Sequence, residues 1–275
     1  MNNFLKIYFD SLKKIFSYPE LELRILLNKN SLLNKNIYIS NFKLSDIDII
    51  KFKKDFKRRI NKEPISKIFN EKSFWKYEFF VNKEVLDPRP ESELIIEQIL
   101  EHYFDKNQTL KILDICTGSG CLAISIAKEY KNALITATDI SKKAISVAKI
   151  NSQKLKCSKQ LKFVQCDLLD KYENYDIVIA NPPYLSEEEY DNVSSEIKLF
   201  EPKIALIAKN NGLEFYEKIA NILPKILKTK SLAFIEIGPN QAEQVISIFK
   251  SQNVVCLRIV KDIQNLNRML ILNKS

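Results

Sequence analysis

Glycine is scarce: four in 275 residues, at Gly118, Gly120, Gly212 and Gly238. Two of them fall within Thr117-Gly118-Ser119-Gly120-Cys121. A chain this sparing keeps glycine where a side chain does not fit. Histidine occurs once, at His102, which excludes a mechanism built on several imidazoles; it reads as a surface helix residue. The five cysteines, at 116, 121, 157, 166 and 256, form no Cys-x-x-Cys pair. Their spacing fits neither a zinc site nor a disulfide framework, so reduced thiols and no metal are expected. No run of about 18 apolar residues is present, so no membrane span is expected. The opening MNNFLKIYFDSLKK lacks an apolar core of signal-peptide type, and the expected compartment is the cytoplasm.

Charge is abundant but uneven. The formal net charge is +9. Residues 1–86 hold 18 Lys and Arg against 10 Asp and Glu, while residues 87–275 hold 25 against 24. Two readings stand. Exposed helices of a lysine-rich chain carry such an excess without a role, or this third faces an acidic partner or nucleic acid. The length suits one large domain, or a medium one with a small companion.

Residues 1–70 read as a small helical domain. Leu5, Phe9, Leu12 and Phe16 recur at helical spacing, Pro19 suits a first helical turn, and Ser45 is the expected cap of a helix carrying Ile49, Phe52 and Phe56. Residues 71–88 are aromatic and β-prone, a hairpin linker with its turn expected at Asn82-Lys83. A helix is expected from Glu91. From residue 110 strands and helices alternate, which predicts an α/β fold: a mostly parallel sheet covered on both faces over residues 89–275. The last two strands, VVCLRIV and RMLILN, have no helix between them and should add an antiparallel edge hairpin.

ILDICTGSGCLAISIA reads as strand, tight glycine turn and helix. Gly118 and Gly120 let the backbone approach a ligand, and the helix N-terminus favours electron-rich groups. Asp139 ends the next strand, 19 residues after Gly120, where a carboxylate takes both ribose hydroxyls of an adenosine. GSGCLA also satisfies the dinucleotide fingerprint, so an oxidoreductase is one reading and an S-adenosylmethionine enzyme the other. Asp114, just before the loop, would repel a pyrophosphate yet suits a cationic ligand. No set of hydride-handling residues follows.

The fourth strand, YDIVIA, runs into Asn181-Pro182-Pro183-Tyr184. In a doubly wound sheet its end lies beside that of the first strand, so Asn181 should face the same crevice. Two prolines stiffen the turn and remove two backbone donors, leaving carbonyl acceptors. The Asn181 side chain adds another acceptor and Tyr184 a flat apolar wall. Such a site suits a planar –NH2 group: two acceptors hold its hydrogens and raise the electron density on nitrogen. Methyl transfer from a sulfonium then needs positioning and electrostatics rather than a tuned base.

NPPY after a glycine loop resembles the amino-methyltransferases, which act on DNA adenine, RNA guanine or glutamine. VLDPRPESELIIE, ILDICTGSGCLAISIA, EPKIALIAKNNGLEFYEKI and IEIGPNQ resemble, in order and spacing, the release factor glutamine methyltransferase family over about residues 70–273. The resemblance implies a Rossmann-like class I methyltransferase domain of seven strands, a small N-terminal helical domain and S-adenosylmethionine as cofactor. It also implies a substrate, the side-chain amide of the glutamine in the Gly-Gly-Gln loop of class 1 release factors. By position it places Cys116, Thr117, Gly118, Ser119, Gly120, Asp139, Leu168 and Asn181 at the cofactor, with Arg89, Asp114 and Asp167. It places Asn181, Pro182, Pro183 and Tyr184 at the glutamine amide, and Arg89, Pro90 and Glu91 in a segment closing over the cofactor. The helical domain would meet the release factor body. A monomer without a stable nucleic-acid partner is expected. Departures are Cys116 for glycine, Asp87 for an aliphatic residue, Ser92 for threonine, Leu168 for an aromatic residue of some members, and no acidic residue before Arg268. A base methyltransferase remains the main alternative, but only 27 residues separate Tyr184 from Gly212, too few for a target-recognition region.

Overall fold

The computed structural model describes residues 3–33 and 36–274. The chain divides into two compact units, residues 1–70 and 71–275. The first unit is helical: α1 (Asn3–Lys13), α2 (Pro19–Lys29), α3 (Ile49–Ile60) and α4 (Ile65–Phe69). Leu5, Leu12, Leu23, Leu26, Leu27 and Phe52 close its core. The ring of Tyr8 meets Phe52 and Phe56 edge-on, with centroids 5.0 and 4.6 Å apart. The cap of α3 is Asp48, whose carboxylate accepts the Lys51 amide at 3.0 Å, and not Ser45. Ser45 is taken up in a 3-10 turn over Leu44–Asp46, where Asp46 accepts the Lys43 amide. Two arginines are paired internally. Arg59 grips Glu22 with two bonds of 2.7 and 2.8 Å and lies over Phe16, and Arg58 holds Glu63. Lys51, Lys53, Lys54 and Lys57 of α3 stay exposed.

The second unit opens with a hairpin, β1 (Glu71–Phe74) and β2 (Tyr77–Phe80). Its turn is at Trp75-Lys76, with Trp75 in the left-handed region, and not at Asn82-Lys83. The register follows from burial: Phe74 and Phe79 both enter the core of this unit, so the strands turn between them. The hairpin is therefore packed on the α/β core rather than strung as a linker.

After α5 (Glu93–His102) the strands and helices alternate: β3 (Lys111–Ile115), α6 (Cys121–Glu129), β4 (Leu134–Asp139), α7 (Lys142–Lys154), β5 (Leu161–Gln165) and β6 (Tyr175–Ala180). Three short helical pieces follow in the β6 connection, α8 (Glu187–Asn192), α9 (Ser195–Phe200) and α10 (Lys209–Gly212), the last broken by left-handed Asn210 and Asn211. Then come α11 (Glu214–Ile226), β7 (Leu227–Glu236), α12 (Ala242–Ser251), β8 (Val254–Lys261) and β9 (Asn267–Lys274). The seven-stranded order is β5-β4-β3-β6-β7-β9-β8. It is parallel except where β9 pairs with β7 and β8, the expected edge hairpin. Chain order reverses between β3 and β6, which pair side by side with Ile115 opposite Ala180. That switch point opens a crevice beyond the strand ends, and the glycine loop and the NPPY turn both lie on it. His102 is exposed on α5.

Candidate active site

The glycine loop is shaped by local hydrogen bonds. Gly120, with φ +80°, caps α6, and a Cβ there would press Ile124 Cδ1 and Ala148 Cβ at 2.9 and 3.0 Å. Gly118, with φ +55°, meets nothing within 4 Å on its Cβ side, so its backbone borders open space. Its amide donates to Asp139 Oδ2 at 2.9 Å, and the Ser141 amide donates to Asp139 Oδ1 at 2.8 Å. One carboxylate thereby ties the end of β4 to the loop after β3. Beneath the loop Asp114, wholly buried, accepts the Thr117 hydroxyl at 2.5 Å. Burial pushes its carboxyl up to about 7.

A cavity lies above this loop. Its lining includes Thr117, Gly118, Ser119, Asp139, Arg89 and Asn181. Ile140, Ala205 and Phe215 add apolar wall. Three carboxylates line it, Glu84, Asp87 and Asp139, against one basic residue, Arg89, which is paired with the buried Glu201 at 3.1 Å. The Asp87 amide also donates to Glu201, so the DPRPES segment is tied to the EPKIAL segment. Burial pushes the thiols of Cys116 and Cys121 up, the latter to about 12, so both lining cysteines stay neutral.

A second cavity adjoins the first. Pro182, Tyr184, Val193, Ile197 and Glu236 line it, and Leu86, Arg89, Asn181 and Ala205 belong to both. Asn181 stands where the two meet. Its Nδ2 donates to Ser92 Oγ at 3.0 Å, and Ser92 Oγ donates to Glu236 Oε2 at 2.5 Å. Tyr184 is held from behind: Gln241 Nε2 donates to its carbonyl at 2.9 Å, while Gln241 Oε1 accepts the Gly238 amide. Gly212, with φ +84°, passes so close to the Tyr184 carbonyl that any Cβ would collide with it. The last two glycines of the chain thus make room for the NPPY turn and its support. Burial pushes the Tyr184 phenol up to about 12, and it stays neutral.

Most residues expected at the site converge there. Four expected at the cofactor do not line the cavity. Asp114 sits under the loop, and Leu168, with φ +62°, turns its side chain into the core. Asp167 is exposed and pairs with Lys218 at 3.3 Å. Gly120 shapes the loop without lining the cavity. The sequence reading missed Glu201, Glu236, Gln241 and Asn151. Asn151 is buried on α7, and its amide bonds both Phe80 backbone groups and the Ser119 carbonyl. Glu201, Glu236 and Gln241 stand within the EPKIAL and IEIGPNQ segments, but what each holds is not written there, because Arg89, Ser92 and Tyr184 are remote in the chain; Asn151 lies in no motif. Among the described residues no cluster of His, Cys, Asp and Glu fits a metal, and no helix is long and apolar enough to cross a membrane.

Comparison with known proteins meets this geometry from outside. Residues 91–201 match the family model of the methyltransferase small domain. A release factor glutamine methyltransferase of Clostridium acetobutylicum is 38% identical over 78% of this chain and 76% of its own length. The chain belongs to the release factor glutamine methyltransferase family. Members of this family are methyltransferases, and this chain is one. A bifunctional methyltransferase of Rickettsia typhi is 36% identical over 95% of this chain but only 55% of its own length, so the chain spans about half of that relative. Among solved structures, the ribosomal protein L11 methylase of Lactobacillus delbrueckii subsp. bulgaricus has a TM-score of 0.52 at 17% identity, covering 71% of this chain and 84% of that one. That likeness is one of fold.

Proposed function

We propose that this chain transfers a methyl group from S-adenosylmethionine to the side-chain amide nitrogen of the glutamine in the Gly-Gly-Gln motif of class 1 release factors. The observation that carries the reading is the junction of two cavities at Asn181, one built around a glycine loop and a ribose-type carboxylate, the other around NPPY. The residues present fit the cofactor. Gly118 leaves open space for close backbone approach, and the carboxylate-rich lining favours a cation over a pyrophosphate. That balance also argues against a dinucleotide oxidoreductase. Thr117, Gly118 and Ser119 would border the cofactor and Asp139 would take its ribose hydroxyls. S-adenosylmethionine, when bound, supplies a methyl already activated on a sulfonium.

The chain's own residues do the rest. Asn181 Oδ1 and the Pro182 carbonyl would accept the two hydrogens of the glutamine –NH2, raising the electron density on its nitrogen. Tyr184 would wall the amide plane. The Tyr184 carbonyl is engaged by Gln241 and so does not compete for those hydrogens. The exposed lysines of α3 suit the helical unit to an acidic face of the release factor. The working state is a monomer in the cytoplasm.

The test is incubation with labelled S-adenosylmethionine and a release factor, the same factor with Gln→Ala in its Gly-Gly-Gln loop, or total RNA. Label is expected in the first alone. Label in RNA and not in the factor would overturn the substrate, and label in the Gln→Ala factor would overturn the target residue.

A further inference from the structure

The two ends of an asparagine side chain have nearly the same shape and opposite chemistry: one accepts, the other donates. A clamp for an –NH2 group works only with the carbonyl end forward. With the amide end forward, donor would face donor. Something must choose between the two, and a lone Asn181 at the mouth of a cavity does not.

The surroundings supply a one-way chain of hydrogen bonds. Ser92 and Glu236 are 2% and 5% exposed and are bonded to each other. An ionised Glu236 only accepts, and the single proton of Ser92 is committed to it at 2.5 Å. The Ser92 oxygen can then only accept from Asn181, and it takes Nδ2 at 3.0 Å. Asn181 Nδ2 faces the Glu236 carboxylate as well. No hydrogen bond engages Asn181 Oδ1 among the described residues, and Asn181 lines both cavities. We infer that Ser92 and Glu236 are positioning residues that lock the Asn181 side chain with its carbonyl towards the reacting nitrogen, an inference that rests on the amide-clamp reading above.

The lock has a built-in release. Burial pushes the Glu236 carboxyl up to about 7; the Ser92 hydroxyl, Arg268 and Asn181 pull it down, and Glu91 pushes it up. Arg268 is a cation paired with Asp262 at 2.7 Å, Arg89 is paired with Glu201, and Tyr184 is a neutral phenol. A proton on Glu236 reverses the chain. The acid then donates to Ser92, the Ser92 proton turns to Asn181, and Oδ1 is drawn away from the substrate. Transfer therefore weakens as pH falls through about 7.

The experiment uses the full chain and the variants Ser92→Ala, Ser92→Thr and Glu236→Gln. It measures kcat from pH 6 to 9, affinity for S-adenosylhomocysteine, melting temperature, and the 15N-edited resonances of the Asn181 side-chain amide. Ser92→Ala should lower kcat roughly tenfold to a hundredfold with product affinity held within about threefold, and Ser92→Thr, which restores the hydroxyl, should restore most of it. The wild type should show an acidic limb with a midpoint near 7, and Glu236→Gln, which cannot be protonated, should lack it. The Asn181 amide signals should titrate with that midpoint in the wild type and not in Glu236→Gln. A folded Ser92→Ala with wild-type kcat would overturn the inference. So would an acidic limb that persists in Glu236→Gln, or Asn181 signals that ignore pH in the wild type. The NMR titration and Glu236→Gln carry the test if Ser92→Ala does not fold. Wild-type enzyme that titrates as expected yet leaves release factors unlabelled overturns the proposed substrate and not the lock.

Discussion

At Tyr184 one residue faces two ways. It lines the second cavity, and its carbonyl is held behind by Gln241 in the space that Gly212 leaves open. Asn181 is held by its amide end, which leaves the carbonyl for the ligand. Asn181→Ala removes an acceptor aimed at the reacting nitrogen, so kcat should fall by roughly a hundredfold to a thousandfold, the loss seen when a group of this kind is deleted. Affinity for S-adenosylhomocysteine, read by calorimetry, should stay mostly intact; retained turnover would refute the clamp. Gly212→Ala should push the Tyr184 carbonyl off Gln241, lowering both kcat and melting temperature. NPPY and GSG were legible because their chemistry sits on consecutive residues. Gln241 was not, since it reaches Tyr184 across 57 residues, nor was Glu236, which reaches Ser92 across 144. Such pairings depend on which strand ends become neighbours.

Elements were legible wherever a periodic pattern was long. The glycine loop's strand and helix, the β4–α7 repeat and the closing hairpin all lie where the pattern puts them. The misses fall at turns and caps, where neighbouring residues compete on nearly equal terms. Ser45 and Asp48 both precede the apolar face of α3, and the 3-10 turn at Leu44–Asp46 leaves the cap to Asp48. Asn82 has turn chemistry, and indeed accepts the Glu84 amide, but burial of Phe74 and Phe79 sets the hairpin turn earlier. Helices α8 and α9 were unassigned, although Ser186 and Glu189 form a capping box whose residues stand in the sequence. Asn151 is the element-scale prediction. It joins α7, β2 and the loop through three bonds of 2.7 to 3.0 Å. Asn151→Ala leaves those backbone groups unpaired and should destabilise the fold by about 3 kcal/mol. Denaturant unfolding measures that change, and a weakened affinity for S-adenosylhomocysteine should accompany it because Ser119 is in the loop.

In the whole molecule, Asp114 and Glu236 are buried carboxyls raised from 3.8 and 4.5 to about 7. A raised acid stabilises the fold fully below its unfolded value, and that contribution is lost as pH rises through the folded value. Glu129, lowered to about 2 by Lys106, Lys76 and Trp75 against its burial, loses its contribution only on strong acidification. The melting temperature of the chain should therefore decline from about pH 5 to about pH 8, and Asp114→Asn with Glu236→Gln should flatten that decline. A calorimetric series over that range checks it, and an equally steep decline in the double variant would count against the two carboxyls. Sequence alone determined the alternating α/β order, the glycine loop and the amide-binding chemistry of NPPY, because each is written in local periodicity and in adjacent side chains. Only the tertiary structure decided which acids line the cavity and which prop the loop, what holds Tyr184 from behind, and which end of Asn181 faces forward. Those outcomes depend on hydrogen bonds between residues that the sheet order, and not the chain order, makes neighbours.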